Sequence, residues 1–229
     1  MIPLHDDNPT RRIPWLTMLL IAANSVIFAI EASMGTEELN SFLLQWAFVP
    51  QRFFASPLSP DQLITFVASL FLHGGWLHLI GNMLFLWIFG NNIEDRLGVV
   101  RFGLFYLACG IAATLAQAFA SPAASIPMVG ASGAIAGVLG AYLLLYPRAR
   151  VVTVIPIFFY IEVAALPAAF VIGFWFVLQL AQGVGSLGAL GTEGGVAWWA
   201  HVGGFVAGLI AILPAVVADK WSMRSHGRL

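Results

Sequence analysis

The sequence predicts an all-α, polytopic membrane protein, a bundle of six transmembrane helices. Three observations carry that expectation. Of 229 residues, 60% are hydrophobic and only 9% are charged, against about 25% charged in a typical soluble domain. So few polar groups cannot cover a water-facing surface, which excludes an ordinary water-soluble enzyme, and the same apolar excess excludes a disordered chain. The charges are clustered, so long uncharged stretches lie between them. The basic residues fall on alternate connections. A net charge of −1 and a pI near 6.5 give no sign of a nucleic-acid partner. The single cysteine, Cys109, forbids an internal disulfide.

The uncharged stretches are Ile13–Ile30, Gln62–Ile93, Phe102–Pro147, Val163–Thr192 and Gly194–Ala218. A helix crossing a bilayer needs about 20 apolar residues. The third stretch is too long for one helix and contains Ser121-Pro122-Ala123-Ala124-Ser125-Ile126-Pro127, a breaker run that divides it. Six spans result, at 13–31, 72–91, 99–120, 131–147, 167–183 and 197–218. Residues 1–12 form an N-terminal arm, 13–218 the membrane domain and 219–229 a tail. Val151–Leu166 is apolar but holds Pro156 and Glu162, so it is expected at the interface or against the bundle. Span five then starts at Pro167, where proline suits a first helical turn.

The count is tested by the positive-inside rule. Arg11, Arg12, Arg96, Arg101, Arg148, Arg150, Lys220, Arg224 and Arg228 fall on one side, and Arg52 alone on the other. Both termini are therefore expected in the cytoplasm, and a seventh span at 151–166 would spoil the asymmetry. The arm has no long apolar core before Ile13 and does not read as a cleaved signal. No internal repeat of transporter type is visible.

Polar groups inside a bilayer are costly and point to function. Span two starts outside as His73-Gly74-Gly75-Trp76-Leu77-His78, with regular helix expected near Trp76. His78 and Asn82 are four apart and share a helix face. They read either as glue between helices or as a site. Span six begins Trp198-Trp199-Ala200-His201, followed by a small-residue stripe at Gly204 and Gly208. Span four begins Gly130-Ala131-Ser132-Gly133, with Gly133 and Gly137 forming a matching stripe. Ser132 reads alone as a helix cap. If the two stripes meet, Ser132 and His201 come together. A serine, two histidines and an asparagine at one depth supply a nucleophile, a base and oxyanion donors.

No acidic residue lies at that depth in an outer half-span, so a Ser–His dyad without an acidic third member is expected. There is no His-Glu-x-x-His run for a zinc protease, and no pair of aspartates inside spans for an aspartyl protease. The string Gly-Ala-Ser-Gly-Ala departs from the hydrolase nucleophile elbow. Neither a metal nor a cofactor is called for.

On Gly130-Ala131-Ser132-Gly133, His78-x-x-x-Asn82 and His201-Val202-Gly203-Gly204-Phe205-Val206-Ala207-Gly208, the chain resembles the rhomboid family of intramembrane serine proteases. Glu94-Asp95-Arg96-Leu97-Gly98 looks like that family's Glu-x-x-x-Gly cap. The resemblance runs over all six spans. It implies a six-helix bundle of the prokaryotic type in a plasma membrane, with Ser132 as nucleophile and His201 as base. His78, Asn82 and the Ser132 amide would form the oxyanion hole. Gly130 would shape the turn, and Gly133, Gly204, Gly208 and His73 would support the site. Gln117 would help hold catalytic water. Implied partners are the lipid bilayer and single-span protein substrates, cut near the outer end of their span. Span five and the glycine-rich loop after it (Gly183, Gly185, Gly188, Gly191, Gly194, Gly195) would form a gate and lid.

Two departures stand out. Some members carry an aromatic residue four after the nucleophile, stacked on the histidine; here it is Ala136, so either something else orients His201 or its orientation is looser. The Trp-Arg pair of some members is absent from the first loop, where Trp46 and Arg52 stand apart. Two other function classes remain beside the protease. A non-proteolytic relative that binds membrane clients is disfavoured by the presence of both Ser132 and His201. A channel or transporter is disfavoured because the polar residues stop in the outer half.

Overall fold

A computed structural model describes residues 1–157, 159–186 and 196–226, with side chains to residue 217. Four of its helices are long and apolar enough to cross a bilayer: α1 (Trp15–Ser33), α7 (Val99–Ala120), α9 (Ala168–Ser186) and the apolar part, Trp198–Val217, of α10 (Trp198–His226). A bent pair of helices is long and apolar enough only when its two parts are taken together. Here α4 (Pro60–Ala68) and a short 3-10 turn meet α5 (Trp76–Phe85) at 81°, and α5 runs on through a π-helical turn (Leu86–Gly90) into α6 (Asn91–Leu97). The last bundle helix is α8 (Ser132–Leu145). Its 14 residues reach only about 21 Å, and every residue from Gly133 to Tyr142 is buried, so α8 is the axis of the bundle.

The burial pattern is that of a protein solvated by lipid. On α1 the buried stripe is Thr17, Leu20, Asn24, Phe28 and Glu31, while Trp15, Met18, Leu19, Val26 and Ile30 face outward. Polar groups turn inward because lipid offers them no partner. The first turn of α1 has no side-chain cap of its own. Glu94 supplies it from α6: its Oε1 accepts from the Leu16 N–H at 2.9 Å, and its Oε2 from the Thr17 N–H and hydroxyl at 2.7 Å each. A carboxylate at a helix N-terminus satisfies orphan donors and meets the positive end of the dipole. Gly98, at φ +78°, then ends α6 and returns its N–H to the Glu94 carbonyl at 2.7 Å. Glu94→Ala is expected to lower stability by about 2 kcal/mol, read as the thermal midpoint in detergent; an unchanged midpoint would refute the cap.

The axis is joined to α10 through glycine. A methyl at Gly204 would overlap the Gly133 carbonyl, one at Gly208 the Gly137 carbonyl, and one at Gly140 the Phe205 carbonyl. The small-residue stripes therefore bring these two backbones into direct contact, as small-xxx-small pairs do.

Two regions depart from a plain bundle. The connection after α1 is itself helical: α2 (Thr36–Trp46), α3 (Pro50–Ala55) and α4. The segment expected at the interface or against the bundle is built of strands at 150–157 and 160–167. β2 (Arg150–Ile157) and β3 (Tyr160–Pro167) form an antiparallel hairpin, and β1 (Ile2–Asp6), within the N-terminal arm, adds to β2. The β-branched run Val151-Val152-Thr153-Val154-Ile155 favours that pleat. The sheet is an addition to the predicted helical bundle. Span five accordingly begins at Ala168, with Pro167 closing β3. The helix of span six continues beyond 218 to His226 and takes in most of the expected tail.

Asp6 anchors β1 to the axis. The Tyr142 hydroxyl donates to Asp6 Oδ2 at 2.5 Å. Burial raises the Asp6 pKa, and the tyrosine bond offsets this in part. A carboxyl raised on folding favours the protonated form, so its contribution is present below the unfolded pKa and lost as pH rises through the folded one. Asp6→Asn is therefore expected to slow amide exchange in β1 at pH 7, with the difference from wild type closing in acid. Equal exchange at pH 7 would refute it.

Candidate active site

Ser132 is the first residue of α8, after Ala131 at the N-cap. Its backbone N–H belongs to the first turn and has no intrahelical acceptor. The incoming chain is fixed by backbone bonds: Met128 N–H donates to Phe48 O at 2.7 Å, and Gly130 N–H to Ser69 O at 2.9 Å. Gly130 has φ +118°, a conformation that favours glycine. A methyl there would also sit 2.7 Å from His78 Cε1 and Nε2.

His201 lies in the first turn of α10 and is 8% exposed. Its Nε2 is 2.8 Å from Ser132 Oγ, and its Nδ1 is 2.6 Å from Gln179 Oε1 on α9. An amide oxygen only accepts, so the imidazole proton sits on Nδ1 and the Nε2 lone pair faces the serine hydroxyl. The ring is flanked by Trp175 of α9, at 5.8 Å between centroids, and by Trp198, edge-on at 6.2 Å. These groups answer the question left by Ala136: the orienting partners of His201 come from α9 and from its own helix. Gln179 and Trp175 are the residues that sequence reasoning missed. The signal available was an uncharged amide in an apolar span.

His78 and Asn82 converge on Gly130. The Gly74 N–H donates to His78 Nδ1 at 3.4 Å, which leaves the proton on Nε2, the atom beside Gly130. Asn82 Nδ2 lies 3.5 Å from the same Gly130 Cβ position and donates one hydrogen to His73 Nε2 at 3.0 Å. His73 is held from behind, its backbone N–H donating at 3.2 Å to Glu31, the last residue of the first predicted span; against the expectation, an acid is thus buried beside the site, where it meets His73. The five polar residues Ser132, His201, His78, Asn82 and His73 thus gather at the head of α8. Gln117 caps α10, its Oε1 accepting from the Trp199 and Ala200 N–H groups at 3.0 and 3.3 Å. Gly133, Gly204 and Gly208 act through the backbone contact described above. Gly183 and Gly185 are the last-turn glycines of α9, while Gly188, Gly191, Gly194 and Gly195 lie outside the described residues.

A small cavity of about 30 Å³ borders the serine, lined by Ser69, Met128, Val129, Gly130, Ser132 and Ala200 among others, large enough to hold water. Among the described residues no cluster of three or more metal-ligating side chains occurs.

A model of the rhomboid domain family matches residues 60–217 of the chain. The chain belongs to the rhomboid family. It is similar to RHOMBOID-like protein 5 of Arabidopsis thaliana, 28% identical over 159 residues that cover 59% of this chain and 52% of that one. It is 35% identical to Rhomboid protease GluP of Bacillus subtilis over 131 residues, 57% of this chain and 24% of the relative. It is also 35% identical to Inactive rhomboid protein 1 of Drosophila melanogaster over 92 residues, 40% and 6% of the two chains. This rhomboid-family chain spans about half the length, or less, of the curated relatives it matches. One of these relatives is named a protease and another inactive, so membership of the family does not by itself assign an activity to this rhomboid.

Proposed function

We propose that this rhomboid is an intramembrane serine endopeptidase that cleaves single-span membrane proteins near the outer end of their span. The observation that carries the reading is the 2.8 Å contact between Ser132 Oγ and His201 Nε2, partly buried in the bundle and bordering a small cavity. Ser132 Oγ attacks the scissile carbonyl carbon while its proton passes to His201 Nε2. The carbonyl electrons move to oxygen. In this reading the Ser132 N–H, the His78 Nε2–H and the second Asn82 N–H stabilise that oxyanion. Collapse breaks the C–N bond, and His201 returns its proton to the leaving amine. Water, deprotonated by His201, then hydrolyses the acyl-enzyme. Neither metal nor cofactor enters.

The same reading places residues 13–218 in a prokaryotic plasma membrane with both termini cytoplasmic, as the basic residues suggest. The substrate span would enter beside α9, and α9 with the loop after it would serve as gate and lid.

The test is cleavage of a single-span model substrate in liposomes, with fluorophosphonate labelling in parallel. Cleavage by wild type, and labelling at Ser132 that His201→Ala abolishes, is the expected result. A folded wild type that neither cleaves nor labels would instead favour a client-binding protein without protease activity.

A further inference from the structure

We propose that Gln179 is a positioning residue for His201, the third member of a Ser132–His201–Gln179 relay that ties the base to α9. The inference rests on the reading of Ser132 and His201 as nucleophile and base. The argument begins with the pattern of α9, whose buried side chains include Val171, Ile172, Gln179 and Gly183. Gln179 is the one hydrogen-bonding side chain in that group and is 8% exposed. An amide placed in an apolar helix is costly unless paired, and its oxygen is paired to His201 Nδ1 at 2.6 Å.

The consequence is chemical. A neutral imidazole carries one proton, and whichever nitrogen donates leaves the other as the base. With Nδ1–H donated to an oxygen, Nε2 is the lone-pair atom, 2.8 Å from the serine hydroxyl. Without that acceptor the ring is free to adopt the Nε2–H tautomer, which has no lone pair to offer Ser132. Gln179 also fixes the ring plane, together with Trp175 one turn earlier on α9. Trp175 and Phe176 in turn pack on Phe205, at 6.4 and 4.3 Å between centroids, one turn after His201 on α10. One face of α9 thus carries both the tautomer-setting oxygen and the aromatic support. The groups facing the ring are Ser132 from α8, Gln179 and Trp175 from α9, Trp198 from its own helix, and the titratable His78 from α5. None is an acid, so the amide holds the place that an acidic third member would occupy.

The experiment compares wild type, Gln179→Leu and Gln179→Glu as full-length chains in liposomes. Leucine keeps the volume and removes the oxygen; glutamate keeps an oxygen and adds charge. Gln179→Leu is expected to lower kcat about 100-fold, as a misplaced catalytic group does, with KM nearly unchanged. Gln179→Glu is expected to recover most of kcat and to move the acid limb of the pH–rate profile upward by about one unit, because a carboxylate favours the imidazolium. In parallel, 15N-histidine spectra in micelles read the His201 tautomer directly: Nδ1–H in wild type and Gln179→Glu, a mixture in Gln179→Leu. Wild-type kcat and an unchanged tautomer in Gln179→Leu would overturn the proposal. So would equal losses in both variants with the same acid limb, the sign of mere packing. The tautomer is read without any substrate, so its loss in a protein that fails to cleave or label would count against the protease reading and leave the His201–Gln179 link standing.

Discussion

Replacing Ser132 by alanine is expected to reduce cleavage of a single-span substrate by about 10⁶-fold, the scale of losing a nucleophile that acts as one unit with its base. His201→Ala is expected to fall about as far, and the double variant no further. The reason is the shared proton: Oγ is a weak nucleophile until Nε2, 2.8 Å away, takes its hydrogen. The loss should appear in kcat. Binding of the substrate span should survive, since neither side chain forms the apolar walls of the bundle. Additive losses in the double variant, or unimpaired cleavage by Ser132→Ala, would mean that the chemistry lies elsewhere. Activity of the wild type should fall as His201 protonates in acid, and a flat profile there would remove it as base.

Gly204→Ala is expected to be the most damaging substitution away from the reacting atoms. Its methyl would overlap the Gly133 carbonyl and come within 3.2 Å of Ala113 Cβ. The obstacle is backbone, which cannot swing aside as a side-chain tip can. Overpacking costs roughly 1–3 kcal/mol, and a backbone clash sits at the upper end, a large share of a typical total of 5–15 kcal/mol. The effect is doubled in function. Gly133 follows Ser132 and Gly204 is three after His201, so parting the helices also lengthens the bond between nucleophile and base. A 1 Å displacement is worth about 100-fold in rate. Gly173→Ala is the control, since a methyl there meets nothing within 4 Å. Equal midpoints and equal fluorophosphonate labelling in the two variants would show that the glycine contact does not hold the site together.

Much of the bundle was legible because lipid demands long uncharged stretches, and the chain shows them. The start of α5 near Trp76 followed from the Gly74-Gly75 pair. The meeting of Ser132 with His201 followed from two glycine stripes that only a close backbone contact would use. What stayed hidden depends on partners distant in sequence. The sheet is hidden because the apolar run Val151–Leu166 also fits an interfacial segment, and its pairing with Ile2–Asp6 leaves no local trace. The helices of the first connection are hidden because they lack a long apolar stretch, and α2 carries Glu37 and Glu38. Gln179 is uncharged within an apolar span, so little marks it locally, although a buried amide costs free energy unless paired. The use of Gln117 as the cap of α10 depends on where the two helices cross.

The three-stranded sheet has a consequence for biosynthesis. Ile2–Asp6 is translated well before its partner Val151–Val154, which is made only after α1 to α8. At roughly 5–20 residues per second, that delay is on the order of ten seconds. During it the N-terminal segment has no strand to pair with, and Tyr142, which will hold Asp6, does not yet exist. The segment that comes before α1 must therefore wait for one that comes after α8, and its docking marks the moment at which α1 to α8 and the first strand of the hairpin have been made.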